Sequence, residues 1–117
     1  MPHKGEHTLA SDRRIRQRTD FETAFRANCL TNKWFAVYAR KNEFGIARLG
    51  MVASKRVMPE AVTRNFSKRL IRDVFRLNFS SNFALDIVVR VRRPLSTETS
   101  KEGRLALIQL LADIRLQ

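Results

Sequence analysis

The chain reads as a small α+β domain: a roughly four-stranded sheet with about three helices packed on it. Three observations predict this. Ala61 to Leu77 repeats its apolar residues with the period of an α-helix. Trp34 to Arg40 and Ala84 to Arg92 alternate as strands do. The elements follow in the order helix, strands, helix, strand, helix, which suits helices laid on a small sheet. With 117 residues, of which 44% are hydrophobic, one domain can bury a real core. Its expected limits are residues 13–117, after a flexible tail at 1–12.

In that tail His3 and His7 have the spacing of a helical metal pair, but no further ligand stands near them, and a mobile terminus accounts for them better. Arg13, Arg14, Arg16 and Arg18 form a basic arm around Ile15, a candidate anchor. Thr19 to Glu22 has the form of a capping box, so a short helix is expected from Thr19 to about Ala27, with Phe21 and Phe25 one turn apart. Cys29 is the single cysteine, which excludes an internal disulfide and a cysteine-based zinc site.

In the first strand Phe35, Val37 and Ala39 point one way, and Trp34, Ala36, Tyr38 and Arg40 the other. The second set mixes aromatic and basic residues, the combination that stacks on bases and pairs with phosphates; a helix-covered sheet face gives the same pattern. Asn42 to Gly45 reads as the turn of a hairpin to a second strand, Ala47 to Ser54. Gly50 within that strand marks a bulge or the close approach of another group. Pro59 stands where a helix can begin. Along Ala84 to Arg92, Leu85, Ile87, Val89 and Val91 share one face, and Asp86 on the other is placed to hold a neighbouring arginine. Thr99 and Glu102 offer a second capping box. Leu107, Ile108, Leu111 and Ile114 give the last helix its apolar face.

The central helix carries the strongest functional signal. Val62, Phe66, Leu70, Val74 and Leu77 are expected on its buried face, and Arg64, Asn65, Lys68, Arg69, Arg72 and Arg76 on the opposite side. Arg64, Lys68 and Arg72 repeat one sign at i, i+4 and i+8, which weakens an isolated helix. A solvated face also produces charge runs, but the single sign, Asn65 within the arc and the whole chain's excess favour a polyanion. Lys and Arg number 23 against 11 Asp and Glu, a net charge of +12. No apolar run approaches the ~20 residues of a membrane span, and no signal-peptide pattern opens the chain, so the cytoplasm is the expected location. No phosphate-binding loop, metal cluster or nucleophile–base pair stands out, which favours binding over catalysis by the protein alone.

Ala61 through Arg76, AVTRNFSKRLIRDVFR, resembles the signature helix of the bacterial ribonuclease P protein subunit. Asp20 to Phe25, Arg48 to Arg56 and Asp86 to Val89 resemble flanking pieces of that family in the same order. The resemblance implies a ribonucleoprotein that removes the 5′ leader of precursor tRNA, with Mg²⁺ at a site built mainly by the RNA. It implies no catalytic residue and no metal ligand in the protein. Arg64, Asn65, Lys68, Arg69 and Arg72, with Arg76 on the same arc, would meet the catalytic RNA. Phe21, Phe25 and Tyr38, with Lys55 and Arg56 nearby, would line a cleft for the single-stranded leader. The implied partners are that RNA and precursor tRNA, with no obligate protein partner, and the implied topology includes a left-handed strand–helix–strand crossover. Phe66 stands where the family commonly has arginine and is expected to be core. Two alternatives remain at this stage: a structural RNA-binding protein such as a ribosomal protein, and a DNA-binding module with a major-groove helix.

Overall fold

The computed structural model describes residues 13–26, 28–79 and 83–115; the expected tail at 1–12, with His3 and His7, lies outside them. The elements are α1 (Arg18–Ala24), β1 (Asn28–Thr31), β2 (Phe35–Lys41), β3 (Arg48–Val52), α2 (Ala61–Asn78), β4 (Leu85–Val91) and α3 (Ser100–Arg115). They form one four-stranded sheet in the order β1-β2-β4-β3. β1 and β4 are antiparallel to β2, and β3 runs parallel to β4.

That order corrects the expected hairpin. β2 and β3 are consecutive in sequence but do not pair, because β4 lies between them. Asn42 to Gly45 still turns the chain: Asn42 Oδ1 accepts from Phe44 N at 2.9 Å, and Gly45 takes a φ of +75°. Here the turn opens a gap one strand wide. The two parallel strands are joined through α2, the strand–helix–strand unit that the resemblance implies.

The alternation in β4 sorts the two faces. Ile87, Val89 and Val91 join Phe35, Val37, Leu49, Leu70, Ile71, Val74, Phe75, Leu107 and Leu111 in the main core beneath α2 and α3. Val88 faces the other way, into a smaller cluster with Ile15 and Ala24, against which Phe21, Tyr38 and Val52 pack. Ile15 is thus the anchor of the basic arm, and its N–H donates to Leu49 O at 2.8 Å along the β3 edge.

Trp34 departs from the expected alternation. It precedes β2, where Asn32 Oδ1 accepts from the N–H groups of both Trp34 and Phe35, and it is buried in the main core. Neither expected capping box is the one observed. α1 starts a residue earlier, after Gln17, with no side-chain cap, and ends at Ala24. At α3 the Thr99 hydroxyl turns back to accept from Ser96 N at 3.0 Å, while Glu102 faces Lys33 at 3.7 Å.

Candidate RNA-binding surface

α2 presents the cations from a core-anchored rod, but its buried stripe differs from the expected one. Ser67, Leu70, Ile71, Val74 and Phe75 are buried, and Phe66 is half-buried against the core. Val62 and Leu77, expected inside, are 79% and 68% exposed. Ile71 and Phe75 replace them because the sheet and α3 meet the helix about a quarter of a turn further round. At 100° per residue, Arg64, Lys68, Arg72, Asn65, Arg76 and Arg69 occupy an arc of about 140° beside that stripe.

The six positions are not equivalent. Arg64 lies at the edge of the buried stripe, and its Nη1 donates to Met58 O and Pro59 O at 3.0 and 2.8 Å, tying down the loop that enters the helix. Arg76 lies 3.8 Å from Asp73, whose carboxylate also faces Arg104 at 3.7 Å. Among the described residues no carboxylate forms an ion pair with Lys68, Arg69 or Arg72. Arg72 is half-buried, and that burial, then the repulsion of Arg14 and Arg69, lowers its pKa from the ordinary arginine value against a smaller pull from Asp73.

In sequence Arg14 is legible only as part of a basic arm. A parallel bridge to Leu49 brings it beside the helix, and its buried Nε has no hydrogen-bond partner. A group of like charges held together with no carboxylate in ion-pair contact favours an external anion. Its neighbour Arg13 works inward: it donates to Ala47 O at 3.1 Å and Phe79 O at 3.2 Å and lies over the Phe75 ring.

The second expected group gathers on the opposite sheet face. Phe25 meets Tyr38 edge-on, with ring centroids 4.9 Å apart and planes at 83°. Phe21 lies flat enough on β3 that a Cβ at Gly50 would stand 2.6 Å from its ring, so this glycine is where α1 approaches the sheet. Phe25 remains 40% exposed beside half-buried Phe21 and Tyr38. Val52 packs against the same cluster and also lines a groove of about 400 Å³ with Ser54, Arg56, Arg90 and Arg92. Arg56 thereby extends the cleft, whereas Lys55 stands exposed in the adjoining turn and does not line the groove.

Beneath this face lies a buried charge network. Arg48 grips Asp86 with two parallel hydrogen bonds, Nε to Oδ1 and Nη2 to Oδ2, both 2.8 Å. Asn42 Nδ2 donates to the same carboxylate at 2.8 Å, Asp20 lies 3.3 Å from Arg48 Nη2, and the guanidinium sits 4.1 Å from the Phe44 ring centroid. Burial opposes ionisation of Asp86, but the bonds from Arg48 and Asn42 outweigh it and hold its pKa below the usual value. Asp86 is therefore a structural anchor, as its place in the strand suggests.

The carboxylates that anchor these networks, Asp86 and Asp73, are committed to arginines, and the described residues hold no group of three or more His, Cys, Asp or Glu side chains placed to bind a metal ion. No helix among the described residues is long and apolar enough to cross a membrane.

Comparison with known proteins identifies the family and the fold. Residues 9–115 match the family model described as Ribonuclease P. The ribonuclease P protein component of Chromobacterium violaceum is 39% identical over 84 residues, spanning 72% of this chain and 69% of the relative. That of Staphylococcus haemolyticus is 38% identical over 90 residues, spanning 76% and 78%. Among solved structures, the Staphylococcus aureus RNase P protein superimposes with a TM-score of 0.78 at 33% identity, covering 87% of this chain and 94% of that one. The Thermotoga maritima protein gives 0.65 at 33% identity, covering 84% and 94%. With sequence and fold in correspondence over most of its length, the chain belongs to the ribonuclease P protein family.

Proposed function

We propose that this chain is the protein component of ribonuclease P and divides its two surfaces between two RNAs. The arc on α2, Arg64, Asn65, Lys68, Arg69, Arg72 and Arg76, meets the catalytic RNA. The cleft of Phe21, Phe25 and Tyr38, extended by Arg56 and with Lys55 exposed in the adjoining turn, receives the single-stranded 5′ leader of precursor tRNA. The observation that carries this reading is the separation of Lys68, Arg69 and Arg72, cations on α2 with no carboxylate ion pair among the described residues, from the aromatics clustered on the opposite face of the sheet. Planar guanidinium groups suit phosphate oxygens, and exposed aromatic rings suit unpaired bases.

The hydrolysis itself is assigned to the RNA, with Mg²⁺ held there. The protein's contribution is to bind the leader and to screen repulsion between two polyanions, in the cytoplasm where tRNA precursors are processed. Mixing the protein with a ribonuclease P RNA and precursor tRNA at low Mg²⁺ tests this. Stimulated 5′ maturation is the expected result. Tight binding to ribosomal RNA or duplex DNA, with no stimulation, overturns it.

A further inference from the structure

The sheet is open at the end where β2 stops and β1 and β4 begin. There Ala39, Leu85 and Ile114 floor a groove of about 380 Å³, Phe83 stands on its wall, and Lys41 and Arg115 line it. The volume falls in the range of about 300–1,000 Å³ typical of small-ligand sites. No carboxylate is among its lining residues. Phe83 is 37% exposed, held edge-on against Phe79 at 5.5 Å. Arg115 is fixed over the Phe79 ring, and its Nη1 donates to Asn78 O at 2.8 Å. Lys41 is exposed, and the Nε of Arg40 is buried without a hydrogen-bond partner, 3.8 Å from Asp86.

We propose that this groove is a second contact for single-stranded RNA, in which one base lies over the apolar floor against Phe83 and its flanking phosphates meet Lys41 and Arg115. An apolar floor, an exposed ring and cations with no counter-charge in the lining are the parts a sequence-tolerant single-strand site needs. A purely apolar occupant would leave Lys41 and Arg115 without an anion, whereas Arg40 already has Asp86. Arg115, in the last turn of α3, also offsets the negative end of that helix where phosphates would approach. The inference rests on the RNA-binding reading of the chain but concerns a surface separate from α2 and from the ring cluster around Phe21.

The test is a heteronuclear NMR titration of the full chain with a ten-nucleotide oligouridine. Amide shifts at Lys41, Ala84 and Arg115 are expected in addition to those around Tyr38. Lys41→Glu and Phe83→Ala should each weaken the groove response about fivefold, the low end of one lost stacking or phosphate contact, and leave the Tyr38 response in place. Because Lys41 is exposed, that variant keeps the test valid if Phe83→Ala disturbs folding. Shifts confined to the Phe21–Tyr38 cleft overturn the proposal, as do equal shifts at the groove from an oligoglutamate of matched charge. Stimulation of the catalytic RNA is measured on the same samples: its absence with groove shifts intact strikes the ribonuclease P role and leaves the groove standing.

Discussion

Arg48 and Arg72 are the same residue put to opposite uses. Arg48 is surrounded by its own protein's acceptors: Asp86, Asp20 and the face of Phe44. Its hydrogen bonds to Asp86 raise its pKa despite burial. Arg72 is half-buried among like charges, and its pKa is lowered. One region has its charge balance completed within the fold; the other is left incomplete until an anion arrives. A count of arginines in a basic chain therefore says little. The informative quantity is how many lack an internal acceptor.

The sharpest way to break that contrast is to remove the acceptor from the first region. Asp86→Ala should destabilise the protein by about 3–5 kcal/mol in urea unfolding, because it strands a buried guanidinium; a loss below about 1 kcal/mol would show that Arg48 finds water instead. Acid does the same by titration. The folded pKa of Asp86 is depressed, so its contribution is fully present above the unfolded value of about 3.9 and is lost as pH falls below that toward the folded value. Asp86→Asn should be less stable at neutral pH and should show a flatter acid limb than the parent.

The second region should respond in binding and hardly at all in folding. Arg72→Ala is expected to weaken affinity for the catalytic RNA about tenfold and to reduce the log–log salt slope by about 1. Its unfolding free energy in urea should stay within about 0.5 kcal/mol of the parent, since a repelled cation is removed. Arg64→Ala sharpens the comparison because this residue has a foot in each region. It should lose RNA affinity and also about 1 kcal/mol of stability with its bonds to Met58 O and Pro59 O. Smallest of all, Tyr38→Ala should weaken binding of leader-bearing precursor about fivefold and leave affinity for the catalytic RNA unchanged, checked by comparing precursor with mature tRNA.

Periodic elements are legible in the order of residues alone. α2 runs from Ala61 to Asn78, within a residue of its periodic stretch, although Pro59 lies two residues ahead of the helix and does not open it, and β4 keeps on the core side the residues its alternation implies. Gly50 is readable as a close approach, though not as the seat of Phe21. The features that escape such a reading are set by tertiary partners. Asn28 to Thr31 is a four-residue strand, mostly exposed, with no alternation of its own; it exists because β2 offers it a ladder. A helical wheel misplaces the stripe on α2 at Val62 and Leu77 because it ranks hydrophobicity, and only the neighbouring sheet decides where the helix is covered. At the surface the cation types and their arc can be read. The division of labour among Arg13, Arg14 and Arg64 cannot, since it depends on which carbonyl or arginine each one meets.

The position of β4 has a consequence for how the molecule is made. The strand that seams the sheet is also the last strand to leave the ribosome, after β1, β2, β3 and the whole of α2. Until residue 91 has emerged, β2 and β3 have no shared neighbour and the arginine rod has no finished floor to rest on. Assembly must wait for contacts far apart in sequence, which slows folding. A nascent chain of this protein would thus carry its cations into the cell on an unfinished scaffold, at the moment when polyanions are closest to hand.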